Sequence, residues 1–216
     1  MIERGLFLVL EGVEGAGKST QARLLVDWME EVGIPHRLAR EPGGTAVGEA
    51  IREVLLDPRG ADMPAETELL LMLSARAAFV RTIVRPTLAD GRVMLADRFE
   101  LSTFAYQGVG RELGVEQVRE LNEFATGGLH PDLTVVLSLP ANTGRARQLS
   151  SGKYSDRIEA AGAGFHDRVG AAYAELAAEE ERMAVVDATD RPEEVHRRIR
   201  ELLESRFPEP FATARG

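Results

Sequence analysis

The sequence predicts an α/β fold, an open, parallel five-stranded sheet with helices on both faces. Short apolar runs alternate along the chain with longer segments of helical periodicity. This alternation is typical of parallel sheets whose two faces are covered by helices. A glycine-rich motif follows the first apolar run directly, and such sheets bind their ligands beyond the carboxyl ends of the strands. We therefore expect the functional site at that edge of the sheet.

The predicted strands are short runs of apolar and β-branched residues, which is typical of strands buried on both faces. The second run is the weakest of the five, because polar residues interrupt it. In chain order the predicted strands are Leu6–Leu10, His36–Ala39, Arg92–Ala96, Leu133–Leu137 and Met183–Val186.

The segments between these runs place apolar residues three and four positions apart, as amphipathic helices do. The predicted helices are Ser19–Val32, Ala46–Leu56, Ala65–Leu88, Val115–Ala125, Gly164–Glu181 and Pro192–Ser205. No Pro/Gly/Ser-rich linker divides the 216 residues into two cores. We expect one domain over residues 1–207 and a flexible, Pro-containing tail over residues 208–216.

Composition excludes several classes of protein. A net charge of −9 disfavours a nucleic-acid-binding protein, and no apolar run approaches the roughly 20 residues that span a bilayer. The absence of cysteine excludes disulfides and thiolate metal sites, and the four histidines lack metal-ligand spacing. The first residues do not resemble a signal peptide. We therefore expect a cytoplasmic protein with neither nucleic-acid nor membrane partners.

The segment Gly12–Ser19 fits the phosphate-binding template G-x-x-x-x-G-K-[ST]. Its glycines allow several backbone N–H groups to point inward, and the helix that follows adds the positive end of its dipole. Lys18 would reach the terminal phosphates of a nucleoside triphosphate, and the Ser19 hydroxyl would bind Mg²⁺. The residues assigned to this nucleotide site are Gly12, Val13, Glu14, Gly15, Ala16, Gly17, Lys18, Ser19 and Thr20, the last as a packing or capping residue.

Two further clusters follow predicted strands. Arg40–Thr45 contains Pro42 and two glycines, and it fits a structural turn as well as it fits a substrate loop. Asp97 and Arg98 follow the third strand, where an Asp can hold metal-bound water and an Arg can clamp a phosphate through two hydrogen bonds. The alternative for this pair is a surface salt bridge.

A third cluster, at about residues 145–159, contains several cations around Ser150-Ser-Gly152. We expect a mobile basic lid here, because the variable positions of the phosphate loop contain no arginine and phosphoryl transfer needs a further cation. The alternative is a solvent-facing helix. The candidate cations are Arg145, Arg147, Lys153 and Arg157.

Taken together, these motifs resemble the thymidylate kinase family, and the resemblance extends over nearly the whole chain. Their order and spacing are specific, although each motif alone is weak. The matching segments are Glu11–Ser19, Arg40–Gly44, Ser74–Arg76, Asp97–Arg98 with Ser102 and Ala105–Gln107, Pro131–Asp132 and Asp156–Glu159. The resemblance implies a P-loop nucleoside monophosphate kinase of the bacterial type, which transfers a phosphoryl group from Mg·ATP to dTMP.

The resemblance also implies residues that bind dTMP. Arg52 and Arg98 would bind its 5′-phosphate, and Arg76 would hydrogen-bond thymine. Tyr106 would lie against the deoxyribose and disfavour a ribose 2′-hydroxyl. The other implied acceptor-site residues are Glu14 near the sugar 3′-hydroxyl, Glu41 in the substrate loop, Met72 at the base, and Thr103 and Gln107 near the base and sugar.

By the same resemblance, Lys18 and Arg98 are catalytic residues, and Arg147 and Lys153 are the favoured lid cations for the ATP phosphates. Ser19 and Asp97 would support Mg²⁺. A homodimer is also implied. The predicted helix Ala65–Leu88 is one possible interface, although burial in the core explains its apolar residues equally well.

Two departures from the family pattern concern the base. Met72 stands where the family commonly has a phenylalanine that stacks on thymine, and Phe99 stands where a tyrosine often follows the Asp-Arg pair. These departures concern affinity for the base more than the chemistry. A P-loop kinase for another nucleotide or for a deoxynucleoside stays an alternative. A GTPase-like switch is disfavoured, because Asp57–Gly60 fits D-x-x-G only loosely and no N-K-x-D is present.

Overall fold

The computed structural model describes residues 5–140, 143–144, 146–147 and 156–211. Its centre is a five-stranded parallel sheet in the order β2-β3-β1-β4-β5. The strands are β1 (Phe7–Glu11), β2 (His36–Arg40), β3 (Val93–Asp97), β4 (Leu133–Ser138) and β5 (Met183–Asp187). The predicted fold class is confirmed, and each strand lies within one or two residues of its predicted bounds.

The central strand β1 is buried along its whole length, whereas the edge strands β2 and β5 are partly exposed. Exposure at the edge explains why β2 has the weakest apolar pattern. In the register of the sheet, Leu10 lies opposite Asp97 on β3 and Val135 on β4. The carboxyl ends of β1 and β3 therefore lie side by side, which brings the glycine-rich loop next to Asp97 and Arg98.

Helices cover both faces of the sheet. They are α1 (Lys18–Glu31), α2 (Ala46–Leu56), α3 (Ala65–Phe79), α4 (Arg85–Ala89), α5 (Glu100–Thr103), α6 (Val115–Thr126), α7 (Ala163–Ala178), α8 (Pro192–Arg206) and α9 (Pro208–Phe211). A 3₁₀ turn spans Pro58–Gly60, and π-helical turns span Val80–Val84 and Phe104–Gly110. No helix in the described part of the chain has the length and apolar character needed to cross a membrane.

The single helix predicted over Ala65–Leu88 consists of three continuous parts: α3, the π turn Val80–Val84, and α4. Pro86 lies in the first turn of α4 and has no backbone N–H. A wider turn before Pro86 accommodates the missing donor in the hydrogen-bond ladder.

The pattern of apolar residues did not predict the helical segment formed by α5 and the π turn Phe104–Gly110. Residues 100–108 are all buried. Because this segment is covered on every side, it lacks the alternation of apolar and polar faces by which surface helices are recognised.

The first four residues of the expected flexible tail are helical. Residues 208–211 form α9, and Phe211 is fully buried with its ring stacked on Trp28 at a centroid separation of 5.3 Å. Helical structure with a buried side chain therefore continues through Phe211. Residues 212–216 lie outside the described part of the chain.

Candidate active site

The glycine-rich loop connects β1 to α1, and its backbone requires glycine. Gly15 has φ 75° and Gly17 has φ 96°, both in the left-handed region. A Cβ atom on Gly15 would lie 2.3 Å from the carbonyl oxygen of Gly144. The backbone at Gly144 therefore lies directly against the loop, where the predicted lid region begins.

Lys18 is the first residue of α1, and its side chain folds back over the loop. Its Nζ donates hydrogen bonds of 2.9 Å to the carbonyl oxygens of Gly12 and Val13. Burial, reinforced by the charge of Arg98, lowers the pKa of Lys18 to about 8. An amine held in this way is close to the place where the inward-pointing N–H groups of such a loop bind phosphate.

Ser19 and Asp97 meet across the ends of α1 and β3. The Ser19 hydroxyl donates a 2.9 Å hydrogen bond to Oδ2 of Asp97. Hydroxyl and carboxylate oxygens are the ligands that Mg²⁺ prefers, and Mg²⁺ at kinase sites takes its other ligands from phosphates and water. The described residues contain no group of three or more acidic, His or Cys side chains that could hold a metal alone. The pair fits a magnesium ion that is shared with a bound nucleotide.

Arg98 begins the segment after β3 with φ 72°, a left-handed conformation that is uncommon for arginine. Its Nη1 donates to the Gly12 carbonyl at 3.1 Å, to Ser102 Oγ at 3.0 Å and to the Tyr173 hydroxyl at 2.9 Å. Its Nη2 forms a salt bridge with Glu14. The Arg98 guanidinium lowers the pKa of Glu14 to about 2. Arg98 is therefore fixed to the phosphate loop.

Beside the loop lies a small pocket lined by Glu41, Pro42, Met72, Arg76, Arg98, Phe99 and Ser102. Arg98 thus borders both the phosphate loop and the pocket. The pocket brings together the predicted base and phosphate residues Met72, Arg76 and Arg98, with Glu41 of the predicted substrate loop beside them.

Arg76 is buried, and most of its donors are already used. Nε and Nη2 contact Glu41 Oε2 at 2.9 and 2.8 Å, Nη2 donates to the Phe99 carbonyl at 2.9 Å, and Nη1 donates to Asn122 Oδ1 at 2.9 Å. Among the five N–H groups of a guanidinium, these contacts leave one on Nη1. Burial raises the pKa of Glu41, and Arg76 acts in the opposite direction.

The remaining predicted acceptor-site residues lie around this pocket. Arg52 donates to the Pro42 carbonyl at 3.0 Å and so supports the loop after β2. The Arg98 guanidinium lies 5.4 Å from the centroid of the Tyr106 ring. Thr103 and Gln107 are fully buried, and Gln107 Nε2 donates to Glu68 at 2.8 Å. None of these three, Thr103, Tyr106 or Gln107, lines the pocket directly.

The predicted lid cations fall into two groups. Arg145 and Lys153 lie outside the described residues. Arg147 points its Nη1 and Nη2 toward the carbonyls of Ala188 and Thr189, each at 3.4 Å.

The structure differs from the prediction that Arg157 is one of the lid cations. Its side chain is buried, donates to the Leu55 carbonyl at 2.9 Å and pairs with Glu68 at 2.7 Å. Its guanidinium therefore fixes this segment to α2 and α3 and is not available to ATP phosphates.

Sequence reasoning missed two groups that contact Arg98. Ser102 was noted only as part of a motif, and Tyr173 on α7 was not singled out. The signal for Ser102 was its position four residues after Arg98. Nothing in the sequence distinguishes Tyr173 from an apolar core residue of an amphipathic helix.

Known proteins share this arrangement of motifs. The family profile described as thymidylate kinase matches residues 10–199. The chain is 44% identical over 194 residues to the thymidylate kinase of Fervidobacterium nodosum, covering 90% of this chain and 96% of the relative. It is 45% identical over 210 residues to that of Symbiobacterium thermophilum, covering 97% of each. It is 49% identical over 202 residues to that of Leifsonia xyli, covering 94% and 96%. The chain belongs to the thymidylate kinase family.

Proposed function

We propose that the protein transfers the γ-phosphoryl group of Mg·ATP to the 5′-phosphate of dTMP, giving dTDP and ADP on the route to dTTP. The observation that carries this proposal is the position of Arg98. Its guanidinium contacts Gly12 and Glu14 of the phosphate loop and also lines the pocket that contains Met72 and Arg76. One cation can therefore contact the acceptor phosphate close to the donor phosphates.

On the donor side, the loop N–H groups and Lys18 bind the triphosphate. Phosphate oxygens would replace the Gly12 and Val13 carbonyls as partners of the Lys18 amine. Ser19 and Asp97 would hold Mg²⁺ together with the nucleotide. A bound Mg²⁺ supplies charge neutralisation at the β- and γ-phosphate oxygens.

On the acceptor side, the phosphate of dTMP is already an anion, so no strong general base is needed. The task of the residues is to bring two mutually repelling phosphates into line and to exclude water. In this proposal Arg98 and Arg52 bind the acceptor phosphate, and Glu14 faces the sugar 3′-hydroxyl. Tyr106 disfavours a 2′-hydroxyl.

Base recognition in this proposal uses Arg76 and Met72, with Thr103 and Gln107 behind the pocket wall. The one remaining N–H of Arg76 suits a single carbonyl oxygen of thymine. Met72 replaces an aromatic stack with a polarizable thioether, which can also lie on the face of a ring. The lid cations Arg147 and Lys153 would stabilise the charge of the transferred group.

The experiment that tests the proposal is a coupled assay for ADP release with Mg·ATP. The acceptors dTMP, dUMP, dCMP, dGMP, UMP and thymidine are offered separately, with a control that lacks acceptor. We expect strong turnover with dTMP and little with UMP. Turnover with thymidine or another monophosphate but not with dTMP would overturn the acceptor assignment and leave the phosphate-loop assignment intact.

A nucleotide switch is not favoured. Asp57, the first residue of the loose D-x-x-G, follows α2 and binds the Arg59 side chain through its carboxylate. It is therefore committed to its own turn and is not in the position of a switch aspartate at the end of a strand.

We also propose that the enzyme works as a homodimer in the cytoplasm. Support for the dimer comes from large apolar side chains that are exposed on neighbouring helices: Val47 and Val54 on α2, Leu70 on α3, and Leu121 and Phe124 on α6. Large apolar side chains that stay exposed on helices packed side by side are the kind of residue that an interface buries. The cytoplasmic location rests on the substrates ATP and dTMP.

A further inference from the structure

A saturated carboxylate lies immediately before the phosphate loop. Glu11, the last residue of β1, is fully buried. Its Oε1 accepts from the backbone N–H groups of Phe99 at 2.8 Å and Ser102 at 3.0 Å. Its Oε2 accepts from the Ser102 hydroxyl at 2.6 Å and from the Tyr173 hydroxyl at 3.0 Å. Both oxygens thus have two donors each, which compensates the cost of burying the carboxylate.

The same two hydroxyl groups also contact Arg98. The two hydroxyls donate to Glu11 Oε2, and they also lie 2.9 Å from each other, where either one can be the donor. Because a guanidinium only donates, both hydroxyl oxygens accept from Nη1 of Arg98, at 3.0 Å for Ser102 and 2.9 Å for Tyr173. Glu11 Oε2 and Arg98 Nη1 are 3.9 Å apart. The two hydroxyls therefore bridge a buried negative charge to the guanidinium.

These bonds decide which edge of the guanidinium remains open. Nη1 is shared among Gly12, Ser102 and Tyr173, and Nη2 contacts Glu14. Within the described residues, the Nε–H of Arg98 has no protein acceptor. Because a guanidinium is planar and rigid, fixing Nη1 also fixes the direction of Nε and Nη2.

We propose that Tyr173 is a positioning residue for Arg98, which holds Nη1 so that the Nε edge is presented to the acceptor phosphate. This inference rests on the proposed function, in which Arg98 binds that phosphate. Tyr173 suits the role because its ring is held in place: it is 3% exposed and packs edge-to-face on Tyr106 with centroids 6.4 Å apart. Burial raises its pKa, so the hydroxyl stays protonated.

The test is Tyr173→Phe, which removes the hydroxyl and keeps the ring. Thr87→Val is the matched control, because Thr87 has a buried hydroxyl that donates to Ile83 on a helix away from the site. The measurements are kcat, the KM values for dTMP and ATP, and the Kd values for dTMP and thymidine by calorimetry. We expect the Kd and KM for dTMP to rise about tenfold, as loss of a hydrogen bond to a charged group predicts.

The Kd for thymidine distinguishes positioning from a structural role. Thymidine has no phosphate, so its Kd in Tyr173→Phe should stay within twofold of the wild-type value, and so should the KM for ATP. A purely structural defect would weaken dTMP and thymidine alike. That result, or an unchanged Kd for dTMP in the folded variant, would overturn the proposal.

A double-mutant cycle makes the test independent of the size of the single effect. In an Arg98→Met background, adding Tyr173→Phe should change the Kd for dTMP by less than twofold, because the residue through which Tyr173 acts is gone. A second full tenfold loss would overturn the proposal. If Tyr173→Phe does not fold, Tyr173→Met, which also removes the hydroxyl and keeps an apolar side chain, is measured in the same way.

The wild-type enzyme tests the proposed function separately. If the wild-type enzyme prefers another monophosphate, the proposed function fails, and the ratio of variant to wild-type Kd for that monophosphate still tests Tyr173. If dTMP is the preferred acceptor and the Kd for dTMP is the same in Tyr173→Phe and in the wild type, only the inference about Tyr173 fails.

Discussion

Arg76 is connected to the protein surface by a chain of polar side chains. Asn122 accepts from Arg76 and donates to Glu100 Oε2 at 2.9 Å. Glu100 in turn contacts His130 Nδ1 at 3.2 Å, and His130 Nε2 lies 2.9 Å from Glu123. Because a guanidinium only donates and a carboxylate only accepts, both neighbours of Asn122 require the same orientation of its amide. The chain therefore holds Arg76 in one position.

His130 should make the stability of the protein depend on pH. The hydrogen bond to Glu100 raises the pKa of His130, with Glu123 acting in the same direction and burial and Arg182 against it. A raised pKa means that the folded state binds the proton more tightly. The stabilisation is complete below the ordinary His pKa of about 6.5 and is lost as pH rises through the raised value. We expect His130→Gln to lower the free energy of unfolding more at pH 5.5 than at pH 9, measured by urea denaturation.

The control for this prediction is His196→Gln. Burial and the charge of Arg200 lower the pKa of His196, so protonation opposes folding there. The free energy of unfolding of His196→Gln, relative to that of the wild type, should therefore be higher at pH 5.5 than at pH 9. A destabilisation by His130→Gln that is the same at both pH values would contradict the role given to the charged imidazole.

At the scale of secondary structure elements, Glu68 joins three segments. This buried residue of α3 accepts from Gln107 at 2.8 Å and from Arg111 Nη2 at 3.0 Å, and it pairs with Arg157 at 2.7 Å. These hydrogen bonds lower its pKa against the effect of burial. The carboxylate thereby ties the π turn Phe104–Gly110 and the last part of the predicted lid segment, at Arg157, to α3.

We expect Arg157→Met to destabilise the protein and to leave ATP binding intact. Removing one partner of a buried ion pair costs about 3 kcal/mol, and the variant also leaves the Leu55 carbonyl without its donor. Urea denaturation should show this loss, and the KM for ATP should stay within twofold of the wild-type value. Arg147→Met is the matched control, for which we expect a raised KM for ATP or a reduced kcat with little change in stability. An unchanged stability of Arg157→Met together with a raised KM for ATP would restore Arg157 as a phosphate ligand.

The sequence predicted those elements whose patterns are local. The strand β1 and the loop Gly12–Ser19 follow from an apolar run and a glycine motif, and their neighbours Asp97 and Arg98 follow from the rule that parallel strands end at one edge. Tyr173 and the acceptor Glu68 could not be found in this way. Their roles depend on contacts 75 and 39 residues away along the chain, and burial makes them look like ordinary residues of helical faces.

For Arg157, the sequence suggested a role that its contacts in the folded protein do not support. The sequence placed it correctly within a basic segment, but composition cannot tell a cation that faces solvent from one that is buried. The deciding fact is the carboxylate of Glu68, which lies 89 positions earlier in the chain and meets Arg157 only in the folded molecule.

At the scale of the whole molecule, α3 packs against both α2 and α6, and each of the three helices carries exposed apolar side chains: Val47, Val54, Leu70, Leu121 and Phe124. Phe124 is 86% exposed and Leu70 57%. Leu69 and Leu73 of α3 are buried in the core instead, so the apolar residues of this helix divide between the core and the surface. Burying this surface against a second copy would remove apolar area from water.

We expect the wild-type protein to sediment as a dimer at micromolar concentration and Phe124→Glu to sediment as a monomer, because a charge would then be buried without a partner. Val185→Glu is the control, since Val185 is also exposed, at 57%, but lies on the edge strand β5. This variant should remain dimeric. A monomeric wild type, or dissociation by both substitutions, would contradict the assignment of this surface. Because α3 carries Met72 and Arg76 on its other side, loss of the dimer should also raise the KM for dTMP more than the KM for ATP.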